Sequence, residues 1–105
     1  MAKKNDKTIE VVKKFLQLLK QQGIKIDQAY LYGSFAKNKA TTWSDIDIAL
    51  VSRDFKESRF IERIRLMKLA SKIDKRIEPI PFRPEDFNDN DPLVWEIKNK
   101  GIIIS

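Results

Sequence analysis

Apolar residues recur every three or four positions in two long stretches of the chain, and this is the period of an amphipathic α-helix. The first stretch covers residues 7–22, and Gly23 directly after it is a typical C-terminal helix stop. The second stretch covers residues 57–75. The apolar stripe of the first predicted helix consists of Ile9, Val12, Phe15, Leu16 and Leu19, and that of the second of Ile61, Ile64, Met67 (or Leu66), Leu69 or Ala70, and Ile73.

Three shorter apolar stretches have the length and spacing of β-strands. They cover residues 28–32, 45–51 and 76–82. In the second of them, Ile46, Ile48 and Leu50 alternate with other residues and therefore share one face. The third contains Pro79 and Pro81, which cannot donate ladder hydrogen bonds, so we expect it at an edge of the sheet.

The rest of the chain completes an alternating order of helices and strands. Residues 35–38 and 84–87 are predicted as brief helical turns. Asp91 followed by Pro92 predicts the capped start of a helix over residues 93–99, which Gly101 closes. The apolar tail 102–104 either pairs in the sheet or covers a partner surface. We therefore predict one α/β (α+β) domain over residues 1–105, with a small mixed β-sheet flanked by helices.

The composition restricts the chemistry more than it restricts the fold. The 105 residues contain no cysteine and no histidine, which excludes thiolate metal sites, disulfides and histidine acid–base catalysis. Catalysis must then depend on carboxylates, hydroxyls, Lys, Arg or a metal that prefers oxygen ligands. No apolar run approaches the roughly 20 residues of a membrane span. The N-terminus lacks the apolar segment of a secretory signal, so we expect a cytoplasmic protein.

The net charge of +6 is concentrated near the N-terminus. The first 40 residues carry nine Lys/Arg and three Asp/Glu, whereas the other 65 carry twelve of each. This asymmetry indicates either an anionic partner or a solvated helix face.

Two carboxylates lie close together at the start of the second predicted strand. Asp45 and Asp47 share a face because alternate strand residues point the same way. They repel each other unless a cation lies between them, and Mg²⁺ commonly binds one or two carboxylates plus substrate phosphates. An Asp pair of this kind is also common in ordinary strand turns, and Ser44 before it could simply cap the loop.

Gly33 and Ser34 follow the first predicted strand. A glycine in a strand-to-helix turn allows close approach of a ligand, and the amides there can donate to a phosphate. A plain tight turn with a serine cap explains the same residues. A site for two ions needs a third acid, and Glu78 in the third strand is the best candidate, with Asp74 a weaker one. Glu78 could instead be a charge that protects an edge strand from aggregation.

The block G-S-F-A-K-(x6)-S-D-I-D-I-A-L resembles the signature of the DNA polymerase β-type nucleotidyltransferase superfamily. The chain also resembles the minimal members of that superfamily, the MntA-like group, and the resemblance extends from Asp27 to the C-terminus. It implies that Gly33 and Ser34 hold the β- and γ-phosphates of an NTP. It also implies that Lys37 and Ser44 contribute to nucleotide binding.

The same resemblance implies a catalytic site with two Mg²⁺ ions. Asp45 and Asp47 would bind both ions, and Glu78 would complete the catalytic metal site and orient or deprotonate the attacking hydroxyl. The chain departs from the usual pattern at two places. Lys37-Asn38 replaces a common Arg-Gly, and the third acid is Glu in place of Asp.

Three functions stay open at this point. The resemblance implies an enzyme that transfers AMP from ATP to a protein hydroxyl, with a helical HEPN-type partner and the role of antitoxin in a toxin–antitoxin pair. The same fold could neutralise such a partner by binding alone. Nucleotide addition to nucleic acid is the third, disfavoured because the chain offers no second basic domain or stacking platform.

Overall fold

The secondary structure comes from a computed structural model, which describes residues 3–34, 36 and 44–104. The α-helices of this part span Lys3–Gln21 (α1), Arg59–Ala70 (α2) and Pro92–Lys100 (α3). The β-strands span Gln28–Tyr32 (β1), Ile46–Val51 (β2), Ile77–Phe82 (β3) and Ile102–Ile103 (β4), and a 3-10 turn spans Pro84–Asp86. The brief helix predicted over residues 35–38 lies outside the described residues except for Ala36.

The four strands form one mixed sheet in the order β3-β2-β1-β4. β1 pairs antiparallel with both β2 and β4, whereas β2 and β3 run parallel. The predicted fold class is therefore confirmed, and so is the edge position of the proline-containing strand. The C-terminal tail pairs in the sheet, with Tyr30 opposite Ile103 and the Ile104 amide donating to the Ala29 carbonyl over 2.9 Å.

Helices cover both faces of the sheet. Successive strand residues point to opposite sides, so each strand contributes apolar residues to both faces. α1 and α2 pack on one face, and α3 packs on the other. The first face contributes Ala29, Leu31, Ile46, Ile48, Leu50 and Ile77, and the second contributes Tyr30, Tyr32, Ala49, Val51 and Phe82. Asp47 and Glu78 fall in the second alternation, so they lie on the α3 side.

The first and last helices follow their sequence patterns closely. In α1, Val12, Phe15 and Leu19 are fully buried. Gly23 ends this segment with a left-handed φ of 79°. In α3, the Asp91 side chain accepts a hydrogen bond of 2.8 Å from the Leu93 amide, as the predicted cap requires. No helix in the described part of the chain is both long enough and apolar enough to cross a membrane.

The apolar stripe predicted for α2 is wrong in part. The helix is shorter than the 57–75 stretch, and its fully buried residues are Glu62, Leu66 and Ala70. These lie four residues apart and therefore on one face. Ile61 and Ile64 project outward, because a rotation of about 100° per residue places Ile64 almost opposite Glu62. Met67 is also exposed, so of the alternatives at that place Leu66 is the core residue.

Candidate functional site

Three strand ends bring the candidate residues together at one end of the sheet. Asp47 in β2 lies opposite Tyr32 of β1 on one side and opposite Glu78 of β3 on the other. Neighbouring strands are about 4.8 Å apart, and residues in register point to the same face. Asp47 therefore lies between a tyrosine and a second carboxylate. Asp45, two residues earlier, is exposed at the same end.

Gly33 is placed directly against the Asp47 carboxylate. Its φ of 74° lies in the left-handed region, which residues with a side chain rarely adopt. A Cβ added there would collide with Asp47 Oδ2 and lie 3.3 Å from Asp47 Cγ. The predicted need for glycine in this turn thus has a specific cause, since the backbone passes beside the acid pair. Ser34 follows it and is half-buried.

Asp45, Asp47 and Glu78 form an acid group, and among the described residues nothing neutralises the charges of Asp45 and Asp47. Burial raises the pKa of Asp47, and the nearby charges of Asp45 and Glu78 raise it further. Among the described residues, no side chain or backbone amide donates a hydrogen bond or forms an ion pair with the carboxylate of Asp45 or Asp47. A half-buried carboxylate in this condition favours a cation.

Glu78 has a partner that sequence reasoning missed. Arg63 of α2 reaches around the sheet edge and places its Nη2 atom 3.2 Å from Glu78 Oε1. The two side chains are 46% and 30% exposed, so water screens this ion pair. No sequence signal connects the two residues, because the contact joins a helix surface to an edge strand across fifteen positions.

Asp74, the weaker candidate for the third acid, belongs to a separate ion pair. Its carboxylate accepts hydrogen bonds from the backbone amide, Nε and Nη2 of Arg76 over 2.8, 3.1 and 2.9 Å. The side-chain hydrogen bond from Arg76 lowers the pKa of Asp74, and the backbone hydrogen bond and the charge of Arg76 act in the same direction. Asp74 is therefore already occupied.

The remaining predicted positions are placed as follows. Ser44 is half-buried, immediately before Asp45. Lys37 lies outside the described residues. The assignment of these residues to nucleotide binding stays a prediction.

The acid group has the ligand chemistry of a metal site, but too few of its carboxylates converge to enclose an ion. Within residues 3–34, 36 and 44–104, no three acidic side chains converge tightly enough to enclose one ion. The donors are all hard carboxylate oxygens, and the Gly33 cradle keeps the space beside Asp47 free of a side chain. Such a group suits Mg²⁺, which commonly uses one or two carboxylates and completes its octahedron with water and substrate oxygens.

Comparison with known proteins identifies the family. The sequence profile described as "Polymerase beta, Nucleotidyltransferase" matches residues 13–105. A crystal structure of a Sulfolobus solfataricus protein assigned as a nucleotidyltransferase has the same fold, with a TM-score of 0.61 and 17% identity over 94% of this chain and 80% of that one. A chain from a crystal structure of a toxin–antitoxin with AMP-PNP is similar at a TM-score of 0.64 and 25% identity, over 89% of this chain and 71% of that one.

No curated protein matches the chain by sequence. The family profile nevertheless covers most of its length, and the matched part contains the Gly33 turn, Asp45, Asp47 and Glu78. The solved structures share its helices and mixed sheet. The chain therefore belongs to the polymerase β-type nucleotidyltransferase family.

Proposed function

We propose that the chain is a Mg²⁺-dependent enzyme that transfers AMP from ATP to a hydroxyl of a HEPN-type protein partner. Its role would be that of the antitoxin in a toxin–antitoxin pair in the cytoplasm. The observation that carries this proposal is the position of Asp47. It lies between Asp45 and Glu78, beside the Gly33 backbone, without a hydrogen bond or ion pair from the described residues.

In the proposed mechanism the acids hold the metal and the turn holds the nucleotide. Asp45 and Asp47 would hold Mg²⁺, and the ion would supply electrostatic stabilisation of the charge on the phosphate oxygens. The Gly33 amide and the Ser34 hydroxyl donate to the β- and γ-phosphates. Glu78 orients the acceptor hydroxyl and takes its proton. The acceptor oxygen then bonds to the α-phosphorus, the bond from that phosphorus to the bridging oxygen breaks, and pyrophosphate leaves.

A protein acceptor is supported by the kind of structure that this chain resembles. The neighbour at 25% identity belongs to a toxin–antitoxin, and the structure that contains it was determined with AMP-PNP. The sequence resemblance to the minimal nucleotidyltransferases points the same way. We accordingly assign residues 1–105 to one nucleotidyltransferase domain whose acceptor is delivered by a partner.

A second candidate is an antitoxin of the same family that neutralises its partner by binding. The Glu78–Arg63 ion pair favours it, because the third carboxylate is engaged by an arginine. The lack of a closed group of three acids among the described residues favours it as well. Both candidates use the same fold and the same partner, so an experiment on the acids separates them.

The test is incubation of the purified chain with its HEPN-type partner, Mg²⁺ and each of the four NTPs. We expect the partner to gain the mass of one AMP with ATP. Asp45→Asn should lower the transfer rate by roughly 10²–10³-fold or more, the loss typical of removing a group that stabilises transition-state charge. Mass spectrometry of the intact partner measures the transfer.

Asp74→Asn is the matched control, because it removes an aspartate that already has an arginine partner. It should leave transfer within a few-fold of wild type. Neutralisation of the toxin that persists in Asp45→Asn, without AMP on the partner, would support the binding antitoxin instead.

A further inference from the structure

One face of α2 is apolar and exposed. Phe60 is 74% exposed, Ile61 51%, Ile64 40% and Met67 39%. Positions 60, 64 and 67 follow helical spacing, and 61 and 64 are also neighbours, so the four side chains form one continuous patch. We call this patch the α2 face. It lies opposite the stripe formed by Glu62, Leu66 and Ala70, so the chain's own core does not use it.

The border of the α2 face is basic. Lys68 and Lys72 border it on one side and Arg63 on the other, whereas Arg59 stacks on the Phe82 ring and Arg65 pairs with Glu62. The only acid in the helix is Glu62, and it is buried. Lys68 and Lys72 are both exposed, on the side of the patch that adjoins Ile61. An apolar centre with a cationic border complements an apolar groove that carboxylates surround.

The charge argues against a second copy of the chain as the occupant. A symmetric dimer through this patch would place the same basic border against itself, because a two-fold interface pairs identical surfaces. Like charges at an interface are unfavourable. A partner with the opposite charge is therefore the better occupant.

One flank of α2 reaches the acid group around the sheet edge, although the α2 face itself points away from the sheet and the acids lie on the α3 side. Arg63 lies on the flank of α2 between the buried stripe and Met67, and its guanidinium contacts Glu78. Glu78 is in register with Asp47. A protein seated on the α2 face that extends past Arg63 reaches the sheet edge where the acids meet.

We propose that the α2 face docks the protein partner through an apolar groove bordered by Asp and Glu. This inference rests on the proposed function, and it assigns the surface that brings the acceptor hydroxyl to the acids. Two parts of it are independent of catalysis. Binding needs neither nucleotide nor metal, and it weakens as salt rises, because the border charges are screened.

The test is calorimetric titration of the HEPN-type partner with the chain, without nucleotide, at low and high salt. Ile64→Glu and Phe60→Ala should each raise the Kd at least tenfold, as buried interface anchors do. The double variant Lys68→Glu/Lys72→Glu should raise it at low salt and flatten its salt dependence. Trp95→Glu on α3 is the matched control, because Trp95 is 48% exposed outside the α2 face, and its Kd should equal that of wild type.

Circular dichroism and thermal unfolding check that each variant folds, which the exposure of these side chains leads us to expect. An unchanged Kd for Ile64→Glu, or no binding of the wild-type chain to the partner, overturns the docking proposal. So does self-association that Ile64→Glu abolishes, since the occupant would then be a second copy. Binding through the α2 face without AMP transfer contradicts the proposed activity alone, and transfer that Ile64→Glu leaves intact contradicts docking alone.

Discussion

In two neighbouring regions at one end of the sheet, the pKa of an aspartate is shifted in opposite directions. At the turn before β3, Asp74 accepts three hydrogen bonds from Arg76, and these lower its pKa. One strand away, burial and the charges of Asp45 and Glu78 raise the pKa of Asp47. The two regions are in direct contact, because the Ile46 amide donates to the Arg76 carbonyl over 2.7 Å.

The charge of Asp74 therefore stabilises the fold, whereas the charge of Asp47 destabilises it. Arg76 stabilises the charge of Asp74, whereas repulsion and burial make the charge of Asp47 costly to the folded state. Titratable groups that are perturbed in this way concentrate at functional sites. The difference between the two regions is thus an argument for function that needs no knowledge of the family.

Among the variants that test this contrast, the largest effect should come from Gly33→Ala, which displaces Asp47. The added methyl collides with Asp47, and the left-handed φ adds strain. We expect destabilisation of about 1–3 kcal/mol and a loss of transfer of roughly 10²-fold, because displaced catalytic groups lose their alignment. Chemical denaturation and the AMP-transfer assay measure the two effects.

Gly23→Ala is the control for strain alone. Gly23 has a φ of 79°, and a Cβ there meets nothing within 4 Å. It should lose stability of a similar order and keep full transfer activity. Equal losses of activity in both variants would mean that the contact between Gly33 and Asp47 is irrelevant.

A smaller effect, opposite in sign for the two acids, should follow from neutralising each of them without metal. Asp74→Asn weakens hydrogen bonds to Arg76 and should cost about 1 kcal/mol of unfolding free energy at pH 7. Asp47→Asn removes repulsion and should raise the unfolding temperature by up to about 4 °C. Thermal unfolding in EDTA measures both. A destabilised Asp47→Asn protein would refute the contrast.

The two acids should also make the stability of the protein depend on pH in opposite directions. Asp74 has a lowered pKa in the folded state. Its contribution to stability is therefore present above pH 3.8, the ordinary pKa of the side chain, and is lost as the pH falls through the folded-state pKa. Asp47 has a raised folded-state pKa, so wild-type stability falls as pH rises from 3.8 through that value. The advantage of Asp47→Asn should therefore grow with pH and then level off. Added Mg²⁺ should stabilise wild type more than the variant.

The smallest effect is expected from Arg63→Gln. The Arg63–Glu78 pair is half exposed, so its loss should change stability by less than about 1 kcal/mol. Arg63 also competes with any cation at Glu78, and we therefore expect Mg²⁺ to bind a few-fold more tightly to the variant. Arg63→Lys should retain wild-type affinity because it keeps the charge. Titration of Mg²⁺ followed by calorimetry tests this, and weaker Mg²⁺ binding to Arg63→Gln would contradict it.

The sequence predicts those parts of the fold that local chemistry determines. The bounds of β1 follow from its apolar residues between polar neighbours, and the start of α3 follows from the Asp91 cap. The predicted apolar stripe of α2 is wrong in part, because an exposed apolar face and a buried core face have the same helical period. Nothing local shows that Glu62 is buried while Ile64 is exposed. The Glu62 carboxylate accepts a hydrogen bond of 3.0 Å from the Glu57 amide, and only the folded structure shows this contact.

The candidate site divides in the same way. Gly33 follows β1, and Asp45 and Asp47 lie at the start of β2, the next strand along the chain, so the sequence predicts that they lie close together. Glu78 lies beside Asp47 because β2 and β3 pair in parallel, and no local sequence signal predicts which strand is the neighbour of β2. Arg63 could not be found, because its role depends on how α2 lies over the sheet edge.

The parallel pairing of β2 and β3 also determines when the site comes into being. Parallel neighbours need a crossover, and here the whole of α2 separates Asp47 from Glu78 along the chain. Such non-local pairing is slow, because loop-closure entropy is lost before the contacts form. A nascent or partly unfolded chain therefore has no assembled acid group. The proposed contribution of Glu78 to Mg²⁺ binding therefore requires that this crossover has already closed.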